Sequence, residues 1–418
     1  MYKKTYASMF WLMLHNIIFV ICSLVDIACA NSISEDAVIA ITVAFLIYTL
    51  MINVHDVFAK ALRIMASRYF GAEGTEQEQS LLTSTITLTE SIALVTSSMI
   101  YIFDQDILGL FALTDIQKNL AYTYLQYRMI GYCIYAFTNP IIKYVESHDK
   151  CGKVVRVRLI NLINIPLSII LAKTAGIGGM GLGTSITELS ELILVMIVFK
   201  PRFGKFRLQE LSKTIKLGLS YIPECLCSPL INNLSTNMCL MYLNTNSMVI
   251  SQLVNTLYDN IVNIVYKTTQ QAEISIGKKY GAENQAGIIE EFKKFKHCYI
   301  RILLWHFPIT IAIGWLYLGL ISPVSNLSFA LLLLIVRILS AIAYYVGIST
   351  MRILYVFGII KPVMITRMFG LCVMQLLTQW IALECGAGVF CIPISYFCSD
   401  ILWAITNTWI LHKKRLIH

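Results

Sequence analysis

Charge is scarce in this sequence. Only 14% of its 418 residues are Asp, Glu, Lys or Arg, and 57% are hydrophobic; a typical soluble domain is roughly 25% charged. No polar stretch is long enough to fold as a separate soluble domain. A globular core cannot absorb so much apolar surface, but a bilayer can, since each spanning helix uses roughly 20 mostly apolar residues. Several chemistries are excluded by what is missing. There is no Gly-rich phosphate loop of the Walker type, so ATP does not drive the protein directly. His15, His55 and His306 are scattered and suggest neither a metal site nor a triad. An enzyme acting on lipids would show clustered acids or histidines at one membrane face, and none is found. The reading is therefore of a non-enzyme without cofactors.

Cysteine is not scarce, but its patterning is. Most of the twelve, such as Cys22, Cys133, Cys239 and Cys372, lie inside apolar runs, and Cys225 and Cys227 are too close together for half a zinc site. They read as buried thiols acting as small hydrophobes. The net charge of +9 does not indicate nucleic acid, because the basic residues fall in short clusters between apolar runs. Those clusters are Lys3 and Lys4; Lys60, Arg63 and Arg68; Lys143 to Arg158; Lys200 to Lys216; Lys267 to Arg301; Arg352 to Arg367; and Lys413 to Arg415. The alternate connections hold Glu35, Asp36, Asp104, Asp106, Asp115 and Glu384, with Lys118 and Lys173 as their only basic residues. This alternation is the positive-inside pattern and predicts an inner-membrane protein with both termini in the cytoplasm. The first apolar run follows Lys3 and Lys4 like a leader, but it is too long for one and carries Asp26, so it reads as the first span.

Twelve spans are expected, near 7–31, 37–59, 81–103, 117–142, 153–174, 177–199, 214–242, 247–270, 296–321, 326–350, 360–382 and 386–411. The connections 60–80, 200–213 and 271–295 are polar and basic, and 271–295 suits a surface helix. The chain also repeats itself. Arg68-Tyr69-Phe70-Gly71-Ala72-Glu73 and Lys278-Lys279-Tyr280-Gly281-Ala282-Glu283 lie 210 residues apart. Ser34 to Ala40 matches Asn244 to Ile250 at that spacing, and Gly176 and Gly178 match Gly386 and Gly388. Tyr144-Val145 and Lys150 match Tyr355-Val356 and Lys361 at nearly that spacing. The expected organisation is an all-α membrane protein: a six-helix lobe over 1–199, a cytoplasmic linker over 200–213 and a second lobe over 214–418. Six spans per half give both halves one orientation, related by an axis along the membrane normal, as in carriers with a substrate path between repeats.

These landmarks resemble the MATE family, the multidrug and toxic compound extrusion transporters. The resemblance rests on Val25-Asp26, on Ile33 to Ala40, and on Ala66-Ser67-Arg68-Tyr69-Phe70-Gly71-Ala72-Glu73. It continues through Phe103 to Asp115, Ser147-His148-Asp149-Lys150, Asn161 to Pro166 and Gly176 to Gly181. It implies a V-shaped monomeric carrier that exports small amphipathic molecules or drugs, driven by inward movement of sodium ions or protons. The alternative is a flippase for a lipid-linked sugar or other anionic lipid, which would suit Arg128 and Arg337 inside spans. An intramembrane carboxylate is usually functional, and Asp26 matches the family's first-span acid. Asn164 matches a polar position in span five. Ser168, one turn on, stands where proton-coupled members often carry Asp, which leaves room for sodium. Thr184, Thr187 and Glu188 offer further oxygens. Cation coupling is thus expected at Asp26, Asn164, Ser168 and Thr184, with Arg128 as an alternative ion-pair partner for Asp26. In the second half, Gln252, Asn255, Asp259 and Asn263 share one face of span eight. With Asn232 and Asn233 in span seven, they form the expected substrate cavity. No metal is expected beyond a sodium ion.

The topology is testable by labelling. Single cysteines placed at Thr75 and Gln285 should be protected from membrane-impermeant reagents added outside. Labelling of either from that side contradicts the charge reading.

Overall fold

A computed structural model describes residues 3–111, 113–222, 225, 227–243, 245–321 and 326–414. Among them there is no strand. The helices are α1 (Lys3–Ile33), α2 (Glu35–Gly71), α3 (Thr75–Ile102), the short α4 (Asp104–Gly109), α5 (Asp115–Ser147), α6 (Cys151–Arg158) and α7 (Asn164–Phe199). They continue with α8 (Leu208–Gly218), α9 (Ser228–Tyr242), α10 (Thr245–Thr268), α11 (Gln270–Gly281) and α12 (Gln285–Leu316). The last are α13 (Leu327–Val356), α14 (Lys361–Phe369), α15 (Leu376–Glu384) and α16 (Cys391–Lys413). Six stretches are long and apolar enough by themselves to cross a membrane: Asp36–Gly71, Thr75–Ile102, Cys151–Phe199, Gln285–Gly319, Leu327–Val356 and Gly388–Lys413. The 49-residue stretch Cys151–Phe199 is two rods. Gly176 breaks it with φ 61 and ψ −147, a backbone conformation that glycine alone adopts readily. Beyond the break Gly183 lies beside Leu167 and Leu171, so the chain has reversed direction.

The chain divides into two compact units, one of Leu14–Leu219 and one of Met1–Met13 with Ser220–His418. The first is built on α2, α3, α5 and α7, packed around a core that includes Ala40, Ala44, Tyr124, Tyr132 and Met180. In the second, α13 packs along α16, with Trp403 fully buried against Gly347.

The repeat seen in the sequence extends to backbone geometry. Glu73 and Glu283 both adopt left-handed φ, 57 and 52, at the ends of α2 and α11. Asp149 and Gly358 do so at 64 and 76, and Gly176 and Gly386 at 61 and 76. A non-glycine residue at positive φ is uncommon. The same turn at the same spacing is therefore a structural signature of duplication. The fifth rod of each unit is also irregular at one place: a 3-10 turn over Leu159–Ile163 and a π segment over Gly370–Gln375. In the first unit the cause is Pro166, which has no N–H to offer Leu162 and crowds its carbonyl.

Buried ion pairs repeat as well. Arg158 meets Glu191 at 2.9 Å, and Arg367 meets Asp400 at 2.6 Å; both partners sit 209 residues apart across the repeat. At the ends of α2 and α11 the polarity is exchanged. Arg63 pairs with Glu146 at 3.3 Å in the first unit, while Glu273, 210 residues after Arg63, pairs with Arg352 in the second. The polar stretches 60–80 and 271–295 thus differ from the sequence expectation. Their first turns continue the helices, and Arg63, Ser67 and Glu273 are fully buried. Polar residues that pattern as surface are held inside because each finds a counter-charge.

Breaking one such pair strands the other charge, which costs on the order of 3–5 kcal/mol when buried. Asp400→Asn should therefore lower the melting temperature markedly, and Asp400→Asn with Arg367→Met should recover most of it. Glu290→Gln, on an exposed pair with Lys294, should change little. Equal stability of all three variants contradicts the pairing account.

Candidate cation site

The site lies inside the unit of Leu14–Leu219. The 3-10 turn places residues three apart on one face, so Asn161 and Asn164 point the same way, toward α1. Ser168 follows one helical turn later. Across from them α1 carries Asp26, which is only 5% exposed. The Ser168 hydroxyl donates to Asp26 Oδ1 at 2.8 Å, and the Asn164 amide donates to the same oxygen at 3.4 Å. Among the described residues Asp26 Oδ2 accepts no hydrogen bond.

Asp26 opens on a cavity of about 80 Å³ whose walls include Cys22, Arg128, Asn161, Asn164, Thr184, Thr187 and Glu188. Most of these polar groups present acceptor oxygens. Thr184 spends its hydroxyl proton on the Met180 carbonyl at 3.1 Å, and Thr187 on that of Gly183 at 2.9 Å. Asn161 donates its amide to Glu191 at 2.7 Å, which leaves Oδ1 without a partner among the described residues. What remains toward the cavity is lone pairs and carboxylate, the donor set of a hard cation.

Arg128 is the exception. Its ion pair is with Glu188, at 3.9 Å, rather than with Asp26, and its guanidinium lies 4.0 Å from the Tyr48 ring centroid. Close approach of α5 and α7 sets this arrangement. A Cβ on Gly131 would fall 2.7 Å from Ser185 Oγ and 3.2 Å from Arg128 Nη1; one on Gly181 would fall 2.6 Å from the Tyr124 carbonyl. The second unit repeats the motif. Arg337 lies 4.2 Å from the Tyr258 ring and 3.9 Å from the Tyr396 ring. Arg337 follows Arg128 by 209 residues and Tyr258 follows Tyr48 by 210.

Asp26, Asn164, Ser168 and Thr184 are thus brought together as the sequence suggested, with Thr187 and Glu188 beside them. Asn161 and Tyr48 were missed. The signals were an Asn three residues before Asn164 and a Tyr and Arg recurring at the repeat spacing. Of the expected substrate-cavity residues, Asn255 is half-buried and donates to Ser251 Oγ at 3.4 Å within α10. The side chains of Asn232, Asn233, Gln252, Asp259 and Asn263 lie outside the described residues. Among the described residues no group of three or more His, Cys, Asp or Glu is placed to hold a metal ion.

Residues 12–172 match the MatE family model. No curated protein matches the chain. The fold is similar to solved structures over nearly its whole length. A multidrug resistance MATE family transporter of the MOP superfamily, in its outward-facing conformation, aligns at TM-score 0.86 and 14% identity, over 99% of this chain and 96% of that one. A mutant of the Vibrio cholerae MATE transporter VcmN aligns at 0.83 and 15%, over 100% and 98%. A MOP superfamily transporter from Pyrococcus furiosus, described as having a binding pocket of reverse polarity, aligns at 0.84 and 13%, over 99% and 96%.

The packing of α5 on α7 makes a direct prediction. Gly131→Ala should destabilise the protein by about 1–3 kcal/mol through overpacking and displace Arg128. Thermal unfolding in detergent checks it, and an unchanged melting temperature contradicts the tight crossing.

Proposed function

We propose that this chain, which carries a MatE domain and the multi-pass membrane fold of the MATE transporters, is a cation-coupled secondary antiporter that exports small amphipathic molecules. The observation that carries the reading is the buried Asp26 carboxylate, held by Ser168 and Asn164 on one oxygen and turned to an acceptor-lined cavity on the other side. A desolvated carboxylate inside a membrane protein is costly and is usually tied to an ion or proton path. Either sodium or a proton fits that role. The threonine and asparagine oxygens favour sodium, because a proton needs no such shell and no second acid stands at Ser168.

The coupling logic is mutual exclusion between states. A cation bound at Asp26 neutralises the carboxylate and stabilises one packing of α1 against α7; its release stabilises another. A gradient of that cation then biases the cycle toward export, provided the two states bind it with different affinity. The alternative, a flippase for an anionic lipid, would require guanidiniums free for a head group. Arg128 rests on Tyr48, and Arg337 on Tyr258 and Tyr396, which favours export over lipid flipping.

Transport in proteoliposomes with an imposed sodium or proton gradient tests the reading. Asp26→Asn keeps the shape but removes the charge, and it should abolish gradient-driven export while the protein still inserts and still binds substrate. Gradient-driven export that persists in Asp26→Asn overturns the assignment of this site.

A further inference from the structure

The charges around this cavity do not cancel. Asp26, Arg128 and Glu188 line it and are 5%, 6% and 7% exposed. Glu191, one turn beyond Glu188, is matched by Arg158 at 2.9 Å and adds nothing to the count. With both lining carboxylates ionised, the three groups sum to one net negative charge. Arg128 Nε and Nη1 and Glu188 Oε2 are buried with no hydrogen-bond partner among the described residues. Buried charged atoms left in this condition call for a ligand or ordered water. The cavity, about 80 Å³, has room for one ion with a water or two, at about 30 Å³ per water.

We propose that Arg128 is a tethered counter-ion that sets the net charge of this pocket at minus one, so that it takes a single monovalent cation and excludes a divalent one. The proposal rests on the reading of Asp26 as the coupling site and adds the valence and number of the ion. In a water-poor interior a bound charge must be compensated locally. One sodium ion brings the pocket to neutrality. A calcium ion would leave one uncompensated positive charge beside a guanidinium that cannot shed its own. Arginine suits this role because it does not deprotonate and lies flat on an aromatic ring; the Tyr48 face at 4.0 Å holds it by cation–π attraction.

The test counts charge. Melting temperatures of the full chain in detergent are compared in NaCl and in CaCl2, each against choline chloride at equal ionic strength. An ion that binds only the folded state raises the melting temperature. Wild type, at minus one, should respond to sodium and not to calcium. Arg128→Gln, at minus two, should gain a calcium response. Glu188→Gln, at zero, should lose the sodium response. The double variant Arg128→Gln with Glu188→Gln returns to minus one and should regain sodium and exclude calcium; it strands no charge, so it carries the test if either single variant fails to fold. Arg128→Lys keeps the charge and should behave as wild type. The inference is overturned if Arg128→Gln keeps the wild-type pattern, if the double variant stays unresponsive to sodium, or if wild type responds to calcium through Asp26. A sodium response that survives Asp26→Asn overturns the underlying site instead. Loss of that response in Asp26→Asn, with a charge series that does not follow the count, overturns only the role of Arg128. A wild type indifferent to sodium contradicts both.

Discussion

A charge removed from water inside a bundle of apolar helices must be compensated by something within reach, or it is not held there at all. This constraint organises the protein. It accounts for the pairing of Arg158 with Glu191, Arg367 with Asp400, Arg63 with Glu146 and Glu273 with Arg352. It also explains why the pairs recur at the repeat spacing while their polarity need not. What duplication preserves is the requirement for a counter-charge at that level of the helix, and an acid and a base can exchange sides without leaving either one alone. Such pairs add little net stability over well-packed apolar residues, but they fix which helix faces which, since a rotated helix would strand a charge.

Against that background the Asp26 pocket is unusual for being unbalanced. Elsewhere carboxylates and guanidiniums are matched; here two carboxylates face one guanidinium, and hydroxyls and amides turn acceptor atoms inward because their protons are committed elsewhere. The irregular turn before Pro166 belongs to the same design. Without it Asn161 and Asn164 would be rotated apart by a regular helix. With it they share a face opposite Asp26. A site made by helix irregularity and by residues from α1, α5 and α7 can change when those helices shift, which a carrier needs and a purely structural ion pair does not.

Much of this was legible in the sequence, for reasons that can be named. Scarcity of charge and the spacing of apolar runs announce a membrane bundle. The recurrence of Gly71-Ala72-Glu73 as Gly281-Ala282-Glu283 announces two halves, because a left-handed helix end demands a short list of residues. Asp26 was conspicuous as an acid in an apolar run, and Asn164 and Ser168 as neighbours one turn apart. What was not legible depended on faces. That Arg128 pairs with Glu188 rather than Asp26 follows from the glycine crossing of α5 on α7, which no single helix reveals. That Arg63 and Glu273 are buried follows from partners 83 and 79 residues away. Local patterning reads both as surface.

The central claim is that a monovalent cation occupies the pocket formed by Asp26, Asn164 and Thr184. Thallium substitutes for monovalent alkali cations and scatters anomalously, so a crystal grown or soaked in a thallium salt locates it directly. The account predicts an anomalous peak against the Asp26 carboxylate, within coordination distance of the Asn164 and Thr184 oxygens, that disappears in Asp26→Asn. A thallium peak elsewhere in the protein with none at Asp26, or one at Asp26 that survives the substitution, would contradict it.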